Sequence, residues 1–142
     1  MKQLFVTSMA IMMVFIQFSC NGQTAQKQTG TGSEITSQVG VYYFHFTRRC
    51  STCIAVEENS KKAVEELYPE QVKTGEYFFK GINLDEESSK DIAKELGVGM
   101  QTLLVVHGDK KVDITGEGFM YAQEYEKLKA EIEKAVDKAL KE

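Results

Sequence analysis

Six consecutive residues, Val41-Tyr42-Tyr43-Phe44-His45-Phe46, form a β-branched and aromatic run in which His45 is the only strongly polar side chain. Successive side chains of a strand point to opposite faces, so a run that is apolar on both alternate sets needs cover on both faces. The segment is therefore expected to be a central strand with helices on either side. The 142 residues suffice for one domain plus appendages. Hydrophobic residues make up 42% and charged residues 27%, with a net charge of −4. No basic patch stands out, which argues against nucleic acid and anionic membrane surfaces as partners.

The periodicity on either side of this run predicts the other elements. A helix is expected from about Ser51 to Leu67, with Cys53, Val56, Ala63, Val64 and Leu67 facing inward, and Pro69 forbids its continuation. Tyr77 to Leu84 reads as a second strand. Asp85 is suited to capping a short helix that turns Ile92, Ala93 and Leu96 inward and stops at Gly97. Thr102 to Val106 reads as a third buried strand, and His107-Gly108-Asp109-Lys110 as a hairpin turn returning through Val112 and Ile114. Gly116-Glu117-Gly118 is expected to break the chain. A last helix from about Ala122 carries Tyr125, Leu128, Ile132, Ala135 and Ala139 on one side, while Glu124, Glu126 and Glu131 each precede a lysine by three residues. The order is β-α-β-α-β-β-α, an α/β domain with a four-stranded mixed sheet. The two strands joined by a helix should be parallel, and the final hairpin antiparallel to them.

Two segments precede the domain. Lys2 is followed by an apolar run from Leu4 to Ile16, thirteen residues broken only by Thr7 and Ser8. That is the length of a signal-peptide core and short of the ~20 residues a membrane-spanning helix requires. The run closes on Ser19-Cys20, which resembles the lipobox of bacterial lipoproteins, with Gln17 and Phe18 departing from its usual residues. The resemblance implies removal of residues 1–19 and lipid on Cys20, and hence an exported protein anchored to a bacterial cell-envelope membrane, facing the periplasm or the surface. Loss of Lys2 moves the net charge from −4 to −5. Residues 20–38 hold one large apolar residue, Ile35, and are expected to act as a flexible tether spanning roughly 25 Å. The domain then occupies residues 39–142.

Cys50-Ser51-Thr52-Cys53 stands where the first strand gives way to the first helix. Three cysteines are too few for a disulfide scaffold or a four-cysteine zinc site. Only a thiolate attacks a disulfide, and the free N–H groups of a helix N-terminus favour an anion. Cys50 is accordingly the expected nucleophile, with Arg48 and Arg49 adding positive charge beside it. Cys53 is the expected resolving thiol, more buried and titrating higher.

A Cys-x-x-Cys pair at this junction, followed by Gly97-Val98-Gly99-Met100-Gln101-Thr102-Leu103-Leu104, resembles the thioredoxin superfamily over about Val41 to Leu140. More narrowly, Tyr42 to Cys53 looks like the signature of the small family catalogued as nitrophenyl compound nitroreductase subunit, ArsF type. The sequence carries no flavin or nicotinamide fingerprint, and no cofactor is expected. The resemblance implies a thioredoxin-like fold and thiol-disulfide exchange with a dithiol or disulfide protein of the envelope. It also marks two departures. Met100, Gln101 and Thr102 match the superfamily's cis-proline loop but lack the proline, so the Met100-Gln101 bond is expected to be trans. Phe44 matches the position of a buried aspartate, leaving Glu57, one turn beyond Cys53, as the candidate proton shuttle.

Two other classes of function use the same residues. The dithiol with His45, and with Met100 or His107, is a candidate site for copper(I), zinc or arsenite. A domain lacking the loop proline is also a candidate non-catalytic interaction module.

Overall fold

The computed structural model describes residues 38–141. The apolar leader, Cys20 and all but the last residue of the tether lie outside them. Four strands, β1 (Val39–His45), β2 (Tyr77–Asn83), β3 (Thr102–His107) and β4 (Lys110–Asp113), form one sheet in the order β2-β1-β3-β4. β1 is parallel to β2 and antiparallel to β3, and β3 is antiparallel to β4. The helices are α1 (Ser51–Leu67), α2 (Pro69–Thr74), α3 (Lys90–Leu96), α4 (Thr115–Met120) and α5 (Tyr125–Lys141). The architecture is thioredoxin-like α/β, with the central strand the sequence calls for.

Alternation along β1 divides the core. Val39, Val41 and Tyr43 join Leu103 and Val105 of β3 against Val56, Ala63 and Val64 of α1 and Leu128, Ile132 and Val136 of α5. Tyr42 and Phe44 point the other way, to Ile82, Leu104, Val106 and to Ala93 and Leu96 of α3. Each large aliphatic side chain so buried contributes about 1.5–3 kcal/mol, so α1 and α5 are held chiefly by packing on the sheet. Among the described residues no helix is long and apolar enough to cross a membrane.

One local expectation holds with an addition, and two give way to other arrangements. Pro69 ends α1 and also opens α2, because a first helical position needs no N–H and suits its fixed φ. Asp85 caps no helix: its carboxylate accepts a hydrogen bond from the Thr47 backbone N–H at 2.8 Å, and α3 begins five residues later, after a single 3₁₀ turn at Glu87–Ser89. Gly116-Glu117-Gly118 lies within α4 instead of breaking the chain. Gly118 is buried there, and a Cβ on it would sit 2.8 Å from Leu103 Cδ2. Its lack of a side chain lets α4 approach the sheet closely.

α5 starts at Tyr125, three residues after the expected Ala122. The Ala122 carbonyl is taken by the Asn59 side-chain amide of α1 at 2.8 Å. The charge pattern on this helix is only partly local. Glu124–Lys127 and Glu131–Lys134 pair as the spacing predicts. Lys129 instead reaches Glu66 of α1 at 2.9 Å, and the Tyr125 hydroxyl donates to the same carboxylate at 2.7 Å. These bonds, Lys129 first and Tyr125 second, bring the Glu66 carboxyl down from 4.5 to about 2.

A carboxyl depressed in the folded state stabilises it above the unfolded value and loses that effect as pH falls through the folded one. Glu66→Gln should therefore lower the urea midpoint above pH 5, with the gap to wild type closing between about pH 4.5 and 2. The exposure of the pair keeps the gap small. Parallel midpoints over that range would show that the α1–α5 bridge contributes nothing.

Candidate dithiol site

The site sits where β1 ends and α1 begins. Between them, residues 46–49 are tied to the end of β2. The Leu84 N–H donates to the His45 carbonyl at 2.7 Å, the Asn83 amide to the Thr47 hydroxyl at 3.0 Å, and the Thr47 N–H to Asp85. This last bond is the main cause holding the Asp85 carboxyl below its ordinary value. The chain then extends into Cys50, the N-cap of α1.

N-caps are usually Ser, Thr, Asp or Asn, whose oxygen accepts from a free N–H of the first turn. Here sulfur takes that role: Cys50 Sγ accepts from the Cys53 backbone N–H at 3.3 Å. Cys50 is exposed and Cys53 is 5% exposed, and both are free thiols. The neighbouring Cys50 side chain is the largest cause holding the Cys53 thiol below its ordinary value; burial opposes it, and the Gln101 side chain assists. Burial alone would push the Cys53 thiol up, and these neighbours outweigh it.

Of the flanking arginines, Arg48 is exposed and makes no ion pair among the described residues. Arg49 forms an ion pair with Glu57, whose side chain is 25% exposed, so its charge is shared with α1. The second Glu57 oxygen lies 4.0 Å from His45 Nε2. No hydrogen bond joins Glu57 to either cysteine among the described residues; its oxygens face Arg49 and His45. Gly81 of β2 makes room for this arrangement, since a Cβ there would collide with Glu57.

The loop before β3 flanks the dithiol on the other side. Thr102 pairs with Phe44 in the β1–β3 register, which brings Gln101 and Met100 to the end of the sheet where α1 starts. The Met100-Gln101 bond is trans, as are all peptide bonds among the described residues. The Thr102 hydroxyl donates to the Met100 carbonyl at 3.0 Å, and the Met100 side chain is 69% exposed. His107 pairs with Val39 at the opposite end of the sheet and takes no part in the site. Among the described residues no three His, Cys, Asp or Glu side chains converge as metal ligands. His45 therefore does not complete a site with Cys50 and Cys53, and its Nδ1 faces the Phe46 carbonyl at 3.1 Å.

Phe44, which matches the buried-aspartate position, lies on the far side of the sheet from α1, and Tyr43 is the β1 residue on the α1 side. Phe44 is packed on the α3 side. A one-residue difference in alignment moves a side chain to the other face of a strand. Tyr43 is fully buried on the α1 side, and the charges that act on its hydroxyl are those of Cys53, Arg49 and Cys50. Its alternation with His45 was the signal that could have identified it.

No protein-family model matches the chain, and no curated protein matches it. One solved structure with which it aligns is described as "Structure of a malarial protein". The two are 15% identical with a TM-score of 0.39, over 61% of this chain and 94% of the other.

The difference in exposure sets the order of modification. Iodoacetamide should label Cys50 about tenfold faster than Cys53, as read by peptide mass spectrometry during a time course. Equal rates, or Cys53 first, would mean that α1 does not present its sulfurs in this way.

Proposed function

We propose that the chain is a member of the thioredoxin superfamily acting as a thiol-disulfide oxidoreductase, exported and held to a bacterial envelope membrane by lipid on Cys20. The observation that carries this reading is an exposed sulfur that caps a helix N-terminus by accepting from the backbone N–H of a second, buried cysteine three residues on. The narrower likeness to the ArsF-type family rests on Tyr42 to Cys53 and contributes only the same dithiol.

The steps follow from the positions of the sulfurs. The Cys50 thiolate attacks one sulfur of a partner's disulfide; the partner's S–S bond breaks, and its other sulfur leaves as a thiolate that takes up a proton. Cys53, as thiolate, then attacks Cys50 Sγ within the mixed disulfide. The Cys50–Cys53 bond forms, the second partner sulfur departs and is protonated, and two electrons have passed from the dithiol to the partner. The reverse sequence oxidises a partner dithiol. The lowered Cys53 thiol suits the resolving step, since that sulfur must also ionise.

A polypeptide partner is supported by the surface at this end of the sheet. Phe46, Ile54 and Met100 are exposed apolar side chains near Cys50 in the chain or across the sheet end. A groove lined by Leu96, Gly99, Met100, Gln101 and Thr102 runs beside the loop. Apolar contact of this kind lets a partner strand lie against the loop while its disulfide meets Cys50.

Trapping tests the assignment. The full-length Cys53→Ser variant lacks the resolving thiol, so its mixed disulfide with the natural partner should persist, fractionate with membranes and be released by dithiothreitol. Cys50→Ser should trap nothing. Adducts formed through Cys53, or none from either variant while purified wild type retains stoichiometric metal, would replace oxidoreductase chemistry with metal binding.

A further inference from the structure

Tyr43 is fully buried, yet its hydroxyl has no hydrogen-bond partner. A buried donor without a partner is destabilising relative to a paired one, and phenylalanine would fill the same space without that cost. The groups around the hydroxyl are those of the dithiol site. Tyr43 lies on the α1 side of β1, and the charges that act on its hydroxyl are, in order, those of Cys53 in the first turn of α1, Arg49 and Cys50. The Gln101 amide lies close to it from the β3 side, though not in bonding geometry, and the His45 ring is a neighbour on β1 at a centroid distance of 5.9 Å.

We propose that the Tyr43 hydroxyl donates a hydrogen bond to Cys53 Sγ when that sulfur is a thiolate, holding the resolving cysteine ionised and aimed at Cys50. The inference rests on the dithiol reading above and adds to it the donor that stabilises the second sulfur. In the fully protonated dithiol Cys53 presents no anion, and the hydroxyl is left unpaired. When the mixed disulfide forms, Cys50 Sγ is bonded to the partner's sulfur and carries no proton that it could donate to Cys53. Tyr43 and Gln101 are then the side-chain donors at hand. Burial, followed by the nearby sulfur charge, pushes the phenol up to about 12. The hydroxyl therefore keeps its proton at neutral pH and acts as a donor, not a base; no electron or proton leaves Tyr43 during exchange.

The test compares wild type with Tyr43→Phe, which keeps the ring in the core, and with Gln101→Leu, which removes the other donor. Thiolate absorbance near 240 nm is followed against pH in the reduced proteins. It is followed also in Cys50→Ser and in the Cys50→Ser, Tyr43→Phe double variant, where Cys53 titrates alone. Tyr43→Phe should raise the Cys53 midpoint by about 1 unit in the Cys50→Ser background and shift the wild-type equilibrium with glutathione severalfold toward the disulfide. Near-ultraviolet circular dichroism checks that packing is kept. An unchanged Cys53 midpoint with native packing overturns the role of Tyr43. The titration needs no partner, so it reads that role even if the dithiol proves not to exchange with disulfides. That separate failure would be seen as a wild-type pair that never equilibrates with glutathione.

Discussion

The structure depends on the pairing of β1 with strands on both of its sides. A parallel ladder to β2 and an antiparallel ladder to β3 leave no free edge on β1 and bury its side chains above and below. The requirement for cover on two faces brings α1 and α5 to one and α3 to the other. The parallel pairing also dictates that the chain cross from one end of the sheet to the other between β1 and β2, and α1 is the means. Its N-terminus consequently lies where β1 ends, beside the loop that enters β3 from the same end. The dithiol is placed by sheet topology before any of its own interactions are counted.

Partly exposed polar groups lie near that helix end. Arg49, Glu57 and His45 form a chain of charged or ionisable neighbours on the α1 side of β1, accommodated by the missing side chain at Gly81. Asp85 and Asn83 hold the preceding loop in place. Apolar residues in these positions would pack the domain at lower desolvation cost. The buried Tyr43 hydroxyl, left unpaired on the same side of β1, adds to that cost.

Much of this was legible in the chain. The strand run at Val41–Phe46, the period of Ser51–Leu67 and the Gly97 stop each carry a strong local signal, and all three elements stand where that signal puts them. The errors arise where tertiary contacts override local ones. Asp85 has the chemistry of a helix cap but a better donor in Thr47, 38 residues away. Lys129 has Glu126 at the favoured spacing but pairs with Glu66 on another helix. Two glycines within three residues look like a break, whereas Gly118 is required by Leu103 beneath α4. Tyr43 was missed for a different reason: in a run apolar on both faces, pattern alone does not say which face meets the helix. That choice belongs to the register between strands.

The central claim is that Cys50 and Cys53 form a reversible two-electron couple. The most direct test is the reduction potential of the purified protein, by equilibration with glutathione or dithiothreitol buffers of known ratio and quantitation of free thiols. A single two-electron transition between about −270 and −120 mV, the range of exchanging Cys-x-x-Cys pairs, is the result this account predicts. A disulfide that stays closed below about −300 mV would be a structural bond, and thiols that never join under oxidising buffers would be no couple at all. Either result would contradict the account.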